Sequence, residues 1–212
     1  MRLPLVMALI SLCGCKAEKT SEPATPAPRG PSLPVPAVPA VSKWALDPEN
    51  SSVSFSCKHV FTNVRGLFKQ PTGTLTIDEA TLANSKVEAS VDVNSITTGV
   101  DERDSHLKSA DFFETSKFPA ATFTSTSIKG SNGALEVTGT LSMHGISKPV
   151  TLSATLSPPF NHAGGIRRAI AASGSVNRRD FGILWDFPGE GSGVVVGDVI
   201  QLGIDAELVL QP

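Results

Sequence analysis

The stretch DERDSHLKSADFFE, residues 101–114, gathers five acids, a histidine, an arginine and a lysine in a chain otherwise rich in Ser, Thr and Ala. Such a cluster could bind calcium, bind a transition metal, or move protons between paired carboxylates. A calcium loop of the EF-hand type needs acids at positions 1, 3 and 5, glycine at 6 and glutamate at 12. Counted from Asp101, position 3 is Arg103 and position 6 is His106, so that pattern fails. Zinc needs three or four His, Cys or carboxylate ligands. Asp104 and His106 have no second His or Cys nearby, the other histidines lying at 59, 144 and 162, and no metal site is expected. A two-carboxylate hydrolase would find acids in plenty, but no spacing specifies it. The same residues read better as helix ends. Asp101 and Asp104 are spaced as at a helix N-terminus, and Asp111 and Glu114 repeat the spacing. Asp104 and Lys108 form a favourable i,i+4 pair, and Pro119 ends the segment. One or two short helical turns near 101–117 are expected, seated by Leu107, Phe112, Phe113 and Phe118. Arg103 and His106 remain as polar handles.

Other residues with chemical potential are more scattered. GEGSGVVVG, beginning at Gly189, has neither the G-x-G-x-x-G spacing nor the Lys-Ser/Thr of a phosphate loop, so a turn into a final strand is expected. His59 and Cys57 share the Phe55 face of one alternating segment. His59 reads as a hydrogen-bonded core or rim histidine, or as a polar anchor in a pocket. Cys57 reads as a small buried hydrophobe. Trp44 and Trp185 read as covers of the core or rim, Trp185 with the option of lining a cavity.

The elements that must carry these residues are strands. Val53, Phe55, Cys57 and His59 alternate with Ser52, Ser54, Ser56 and Lys58. The same period of two runs through 74–77, 86–93, 135–143, 150–156, 170–176 and 200–210. Turn residues separate them at Ser131-Asn132-Gly133, Pro158-Pro159, Gly164-Gly165 and Gly189 to Gly193. About eight half-buried antiparallel strands make a sandwich or a closed barrel. A barrel of that size either fills with side chains or holds one small ligand. Ala89, Gly139, Ala154, Ala172, Gly174 and Ala206 are small inward candidates, and pattern alone leaves both outcomes open.

The first residues are not expected to join this fold. Leu3 to Leu12 is apolar but too short to span a bilayer as a helix, and follows Met1-Arg2 as a signal-peptide core would. The run ends in Leu12-Cys13-Gly14-Cys15, which resembles the lipobox of bacterial lipoproteins. That resemblance implies a signal peptide over 1–14 and lipid on Cys15. Lys16 in place of aspartate after that cysteine points to the outer membrane, facing the periplasm. From Lys16 to Ser42 proline recurs every few residues, a composition that favours extended polyproline II. Residues 15–42 thus read as a lipidated cysteine and tether with a reach on the order of 80 Å, and 43–212 as one domain. The chain has 212 residues, 18% of them charged, and a net charge of −2, so no basic face marks a nucleic-acid binder.

Several blocks together resemble the YceI-like family of exported proteins. WALDPENSSVSF carries Trp44, Leu46, Asp47 and Ser51. KHVFTNVRGLF carries Lys58, His59, Val64, Gly66 and Phe68. SITTGVDERDSHLKSADFFETSKFP carries Thr98, Gly99, Arg103, Asp104, His106, Leu107, Asp111, Phe112, Phe113 and Pro119. GTLSMHGISKPVTL and GSVNRRDFGILW follow, the latter through Asn177, Arg178, Asp180, Phe181 and Gly182. The resemblance implies an all-β, lipocalin-like eight-stranded antiparallel β-barrel with a short helical insertion near 101–117. It also implies a hollow interior that binds long amphiphiles such as polyisoprenoids or isoprenoid quinones, without enzymatic activity or a cofactor. Strand parity and the matched motifs name Phe55, Phe61, Phe68, Leu141, Phe181 and Trp185 as lining, with His59, Arg103 and His106 as polar handles. A filled barrel that docks an envelope protein is the alternative, and a hydrolase using 101–114 a more remote one. The oligomeric state stays open, a dimer included.

Overall fold

The sheet closes because one long strand pairs along both edges. In the computed structural model, which describes residues 36–59, 61–131, 133–162, 165–186 and 196–212, this strand is the last, Val196–Leu210 (β11). One edge pairs with Gly165–Asn177 (β10) from Asn177↔Val199 to Arg167↔Val209. The other pairs first with Ser52–His59 (β2) and then with Val41–Leu46 (β1). β1 and β2 are one bent strand, interrupted by a turn of 3-10 helix at Pro48–Asn50. Pro48 suits the first helical position, where no N–H is needed, and the Asp47 carboxylate accepts the Glu49 N–H at 3.2 Å. The next strand is bent likewise. Thr62–Lys69 (β3) pairs with β2 and Thr72–Asp78 (β4) with β1. Between them stand Gln70, with φ 51°, and the fully buried Pro71, which cannot donate to a ladder.

Lys86–Asp92 (β5), Ala120–Ser131 (β6), Ala134–Met143 (β7) and Ile146–Leu156 (β8) continue the antiparallel meander to β10. A short strand, Phe160–His162 (β9), folds back on the start of β10. With the two bent strands each counted once, and β9 counted with β8 because both pair in turn along β10, the barrel has eight staves. Asp101–Lys108 (α1) is an eight-residue helix between β5 and β6, as the sequence led one to expect. The alternation of apolar and small polar residues accounts for the curvature, since each strand has one face to bury. Along β10, Ala171, Ser173 and Ser175 are exposed while Ile170, Ala172, Gly174 and Val176 turn inward.

One end of the barrel is sealed. Trp44 is 0% exposed and packs with Leu75, Ile77 and Leu208. Its indole N–H donates to Ser42 at 2.9 Å. The Arg168 guanidinium lies 5.2 Å from the ring centre and pairs with Glu79, so a nearly buried charge is held by a carboxylate and an aromatic face. Arg167 beside it bonds Asp47 at 2.7 Å and Glu207 at 2.6 Å, tying the bend between β1 and β2 to β11.

Two expectations about residues 101–114 are corrected. Neither acid pair caps a helix. Val100 precedes α1 and makes no side-chain cap. Asp104 turns inward, only 8% exposed, and accepts the N–H and hydroxyl of Thr98 instead of facing Lys108. Asp111 reaches back to His106. In both cases a partner five or six residues back in the chain displaced the expected one. The signal peptide, Cys15 and most of the Pro-rich segment, together with Asn132, Gly164 and the glycine run from Gly189 to Gly193, lie outside the described residues.

Candidate functional site

The barrel interior is hollow in two adjoining stretches. An upper chamber of about 280 Å³ lies under α1 and the segment 183–186. A lower chamber of about 170 Å³ runs toward the sealed end. Val53, Val91, Ala121, Leu141 and Leu202 line both, so these five form a shared waist. Pockets for small ligands span roughly 300–1,000 Å³, so the two chambers joined have the dimensions of a ligand site.

The small residues divide by role. Ala89, Ala154, Ala172 and Ala206 line the lower chamber and leave it open. Gly139 and Gly174 leave no space, contrary to expectation. A Cβ at Gly139 would lie 2.4 Å from the Phe123 ring, and one at Gly174 2.6 Å from Leu152. At Gly66 it would meet the Phe55 ring at 2.5 Å. These glycines let large side chains lie flat against the wall, which is why the interior can be both aromatic and hollow.

Of the lining residues named from sequence, Phe55, His59, Phe68, Arg103, His106, Leu141 and Trp185 border the upper chamber. Phe55 and Phe68 meet with ring centres 5.7 Å apart, and Phe68 meets Phe113 at 5.9 Å. Two placements are corrected. Phe61 is 97% exposed at the turn between β2 and β3. Pairing ends at His59↔Thr62, and beyond the last pair alternation no longer sets direction. Phe181 is 1% exposed but packs solidly against Val150 and Val176, because the 3-10 turn Arg178–Phe181 follows β10 and breaks its parity.

The mouth carries the polar lining. The Arg103 guanidinium donates to the Thr98 hydroxyl at 2.8 Å, within the network that holds Asp104. Burial pushes the Asp104 carboxyl up, but hydrogen bonds from the Thr98 and Thr97 side chains outweigh it and hold its pKa below the ordinary value. His106 donates Nε2–H to Asp111 at 2.9 Å. Its ring meets Phe112 at 5.0 Å and Trp185 at 5.1 Å, both edge-on. Arg178, which sequence reading placed in a motif but not in the site, borders the chamber with its side chain only 4% exposed. It donates to the carbonyls of Ile183 at 2.9 Å and Trp185 at 2.8 Å, and on the far side to those of Gly197 and Val196. Asp186 and Asp198 neutralise it, each 3.0 Å away. Arg179 braces the same two acids from outside. Cys57 also lines the chamber. Its thiol is buried, which pushes its pKa up, and points at the Gly197 carbonyl.

The acids of 101–114 do not converge. Asp101 and Glu102 are exposed, Asp104 is committed to Thr98, and Asp111 to His106. Among the described residues no group of three His, Cys, Asp or Glu could hold a metal ion, and no helix is long and apolar enough to cross a membrane.

Comparison with known proteins agrees with this architecture. "Protein YceI" of Salmonella arizonae is 40% identical over 152 residues, which are 71% of this chain and 80% of that relative. The crystal structure of Burkholderia cenocepacia BcnA superposes with a TM-score of 0.66 at 24% identity, over 76% of this chain and 98% of its own. A polyisoprenoid binding domain from Saccharophagus degradans, implicated in plant cell wall breakdown, superposes with a TM-score of 0.58 at 17% identity, over 81% and 99%. At these identities the two structures speak to fold alone. The YceI-like domain profile matches residues 44–208, nearly the whole barrel, and the chain belongs to the YceI-like family.

Proposed function

We propose that this barrel binds an amphiphilic lipid such as a polyisoprenoid or an isoprenoid quinone, and that it does so tethered in the bacterial cell envelope. The observation that carries the reading is the two-chambered apolar interior with its polar lining gathered at one end. An apolar tail occupies the chambers. The head stays at the mouth near His59, Arg103 and His106. The titratable lining of the upper chamber is His59, Cys57, Arg103, His106 and Arg178, with no carboxylate among it. That set offers donors, so it suits a head rich in acceptors, such as a quinone carbonyl, a hydroxyl or a phosphate. The resolved Saccharophagus degradans relative, described as a polyisoprenoid binding domain, is consistent with this choice. Lipid on Cys15 and the Pro-rich segment would hold the barrel to the outer membrane, facing the periplasm. No catalytic role is assigned to any residue.

Native mass spectrometry of the full chain purified from bacterial membranes, followed by organic extraction, tests this. A released mass of several hundred daltons with a prenyl or other amphiphilic structure is the expected result. A clean unliganded mass, with no uptake of added quinone or polyprenol, would sink it and favour a barrel that works through its surface.

A further inference from the structure

Phe61, which parity would send inward, is instead 97% exposed at the end of β2. It is not alone there. Val100 is 46% and Leu184 59% exposed. Each stands within three positions of a residue of the cavity wall. Phe61 follows His59 by two positions, Val100 precedes Arg103 by three, and Leu184 lies between Ile183 and Trp185. His59, Arg103, Ile183 and Trp185 all line the upper chamber. Single exposed apolar side chains are ordinary. Here three separate segments that each carry a residue of the upper chamber wall also expose an apolar side chain.

The exposed charges beside this rim have both signs, Lys58 against Asp101 and Glu102. Whatever covers the rim is therefore drawn by its apolar atoms more than by charge. A bilayer fits that chemistry, and it also fits the cavity. A long apolar tail that leaves the barrel into water wets its whole length, whereas one that passes directly into acyl chains does not. The chain makes the approach feasible. β1 starts at Val41, at the sealed end, while β2 ends at the mouth. The mouth therefore faces away from the point where the Pro-rich segment joins the barrel. By composition that segment would reach on the order of 80 Å if extended. β11, which runs the barrel's length, has 15 residues and is about 50 Å long. The segment is thus long enough for the mouth to turn back to the membrane.

We propose that the rim of Phe61, Val100 and Leu184 docks mouth-down on a lipid bilayer, Phe61 entering below the headgroups, so that the amphiphile passes between membrane and barrel without crossing water. This rests on the reading of the interior as an amphiphile site. Phe61 acts as an interfacial anchor, and attachment to a neutral bilayer is little affected by salt.

Two tryptophan reporters at exposed positions at opposite ends test it, Phe61→Trp and Val41→Trp. Each is made in the full chain and mixed with phosphatidylcholine vesicles whose acyl chains carry bromine, a short-range quencher. The emission added over the parent chain is followed. The Phe61→Trp signal should be quenched and the Val41→Trp signal should not. Phe61→Ser should slow uptake of a prenyl quinone from vesicles about tenfold while the melting temperature stays put. Quenching at residue 41 instead of 61, or at neither, overturns the docking, as does unchanged uptake by Phe61→Ser. The two readings separate cleanly. A quenched residue 61 in a protein that holds no amphiphile leaves the docking and removes the ligand. A bound amphiphile with residue 61 unquenched removes only the docking.

Discussion

The guanidinium of Arg178 donates to the carbonyl of Trp185 at 2.8 Å and so fixes the backbone that carries the indole over the mouth. The same group holds Ile183 before it and Val196 and Gly197 after it. One buried cation therefore replaces several backbone partners that a loop would otherwise take from water. Arg178→Met keeps the bulk and removes the donors. It should destabilise the fold by about 2–3 kcal/mol and red-shift Trp185 emission as the indole loses its seat. Urea unfolding and fluorescence of the variant check both. A native emission spectrum would mean that Trp185 keeps its seat without Arg178, through contacts such as those with Phe112 and His106.

Asp104 separates a structural acid from a catalytic one. Its pKa is held down by Thr98 and Thr97 against the opposing effect of burial. A carboxyl depressed in the folded state adds stability above its unfolded pKa of about 3.9, and loses it as pH falls through the lower folded value. Asp104→Ala leaves the Thr98 N–H without its acceptor and should lower stability at pH 7 by about 1–3 kcal/mol. It should also remove part of the stability lost on acidification below about pH 4. Denaturant midpoints across pH 2–7 for parent and variant give the answer. An unchanged midpoint at pH 7 would return Asp104 to the list of functional acids.

Much of this molecule was legible because strands write a period of two into the sequence. The faces of β2, β10 and β11 follow from it directly, and so do Phe55, His59, Phe68 and Leu141 on the cavity wall. The misses lie where that period stops. Phe61 lies in the turn beyond the last pair of a hairpin, His59↔Thr62, and Phe181 sits in a helical turn after β10. Asp104 had a plausible partner in Lys108 and Asp111 a helix end of its own, and spacing cannot weigh these against Thr98 or His106. Arg178 stood in a matched motif, yet its work is done by backbone carbonyls, which leave no trace in residue types. Gly139 and Gly174 looked like empty space because the ring of Phe123 and the side chain of Leu152, which fill it, come from neighbouring strands.

Cys57 offers an internal reporter of the cavity. It is the free cysteine among the described residues, buried on the upper chamber wall. Burial raises its pKa, so at any given pH it holds less thiolate than an exposed cysteine. Alkylation by a small neutral maleimide, followed by peptide mapping, should be slow at pH 7 and accelerate toward alkaline pH. Protein loaded with amphiphile should react more slowly than emptied protein at every pH. Reaction at the rate of free glutathione, or no effect of loading, would mean that the thiol opens to solvent and not to the chamber.

Ala121 tests whether the two chambers act as one. It is 8% exposed on β6 and lines both, together with Val53, Val91, Leu141 and Leu202. Its methyl is the smallest side chain at this waist, so a larger one there narrows the passage more than a change in either chamber would. Ala121→Leu should cost about 1–3 kcal/mol in overpacking, which a barrel closed on all edges can bear. Its effect on binding should depend on tail length. A short-tailed quinone that ends in the upper chamber keeps its affinity. A long-tailed homologue loses the burial of its distal methylenes, a loss of about tenfold or more if two are expelled. Titration of a homologous quinone series against parent and variant reads this directly. If both tails weaken equally, the waist is not on the ligand's path. If neither weakens, the lower chamber is a packing defect and the ligand lies above it, held by the upper chamber and the mouth.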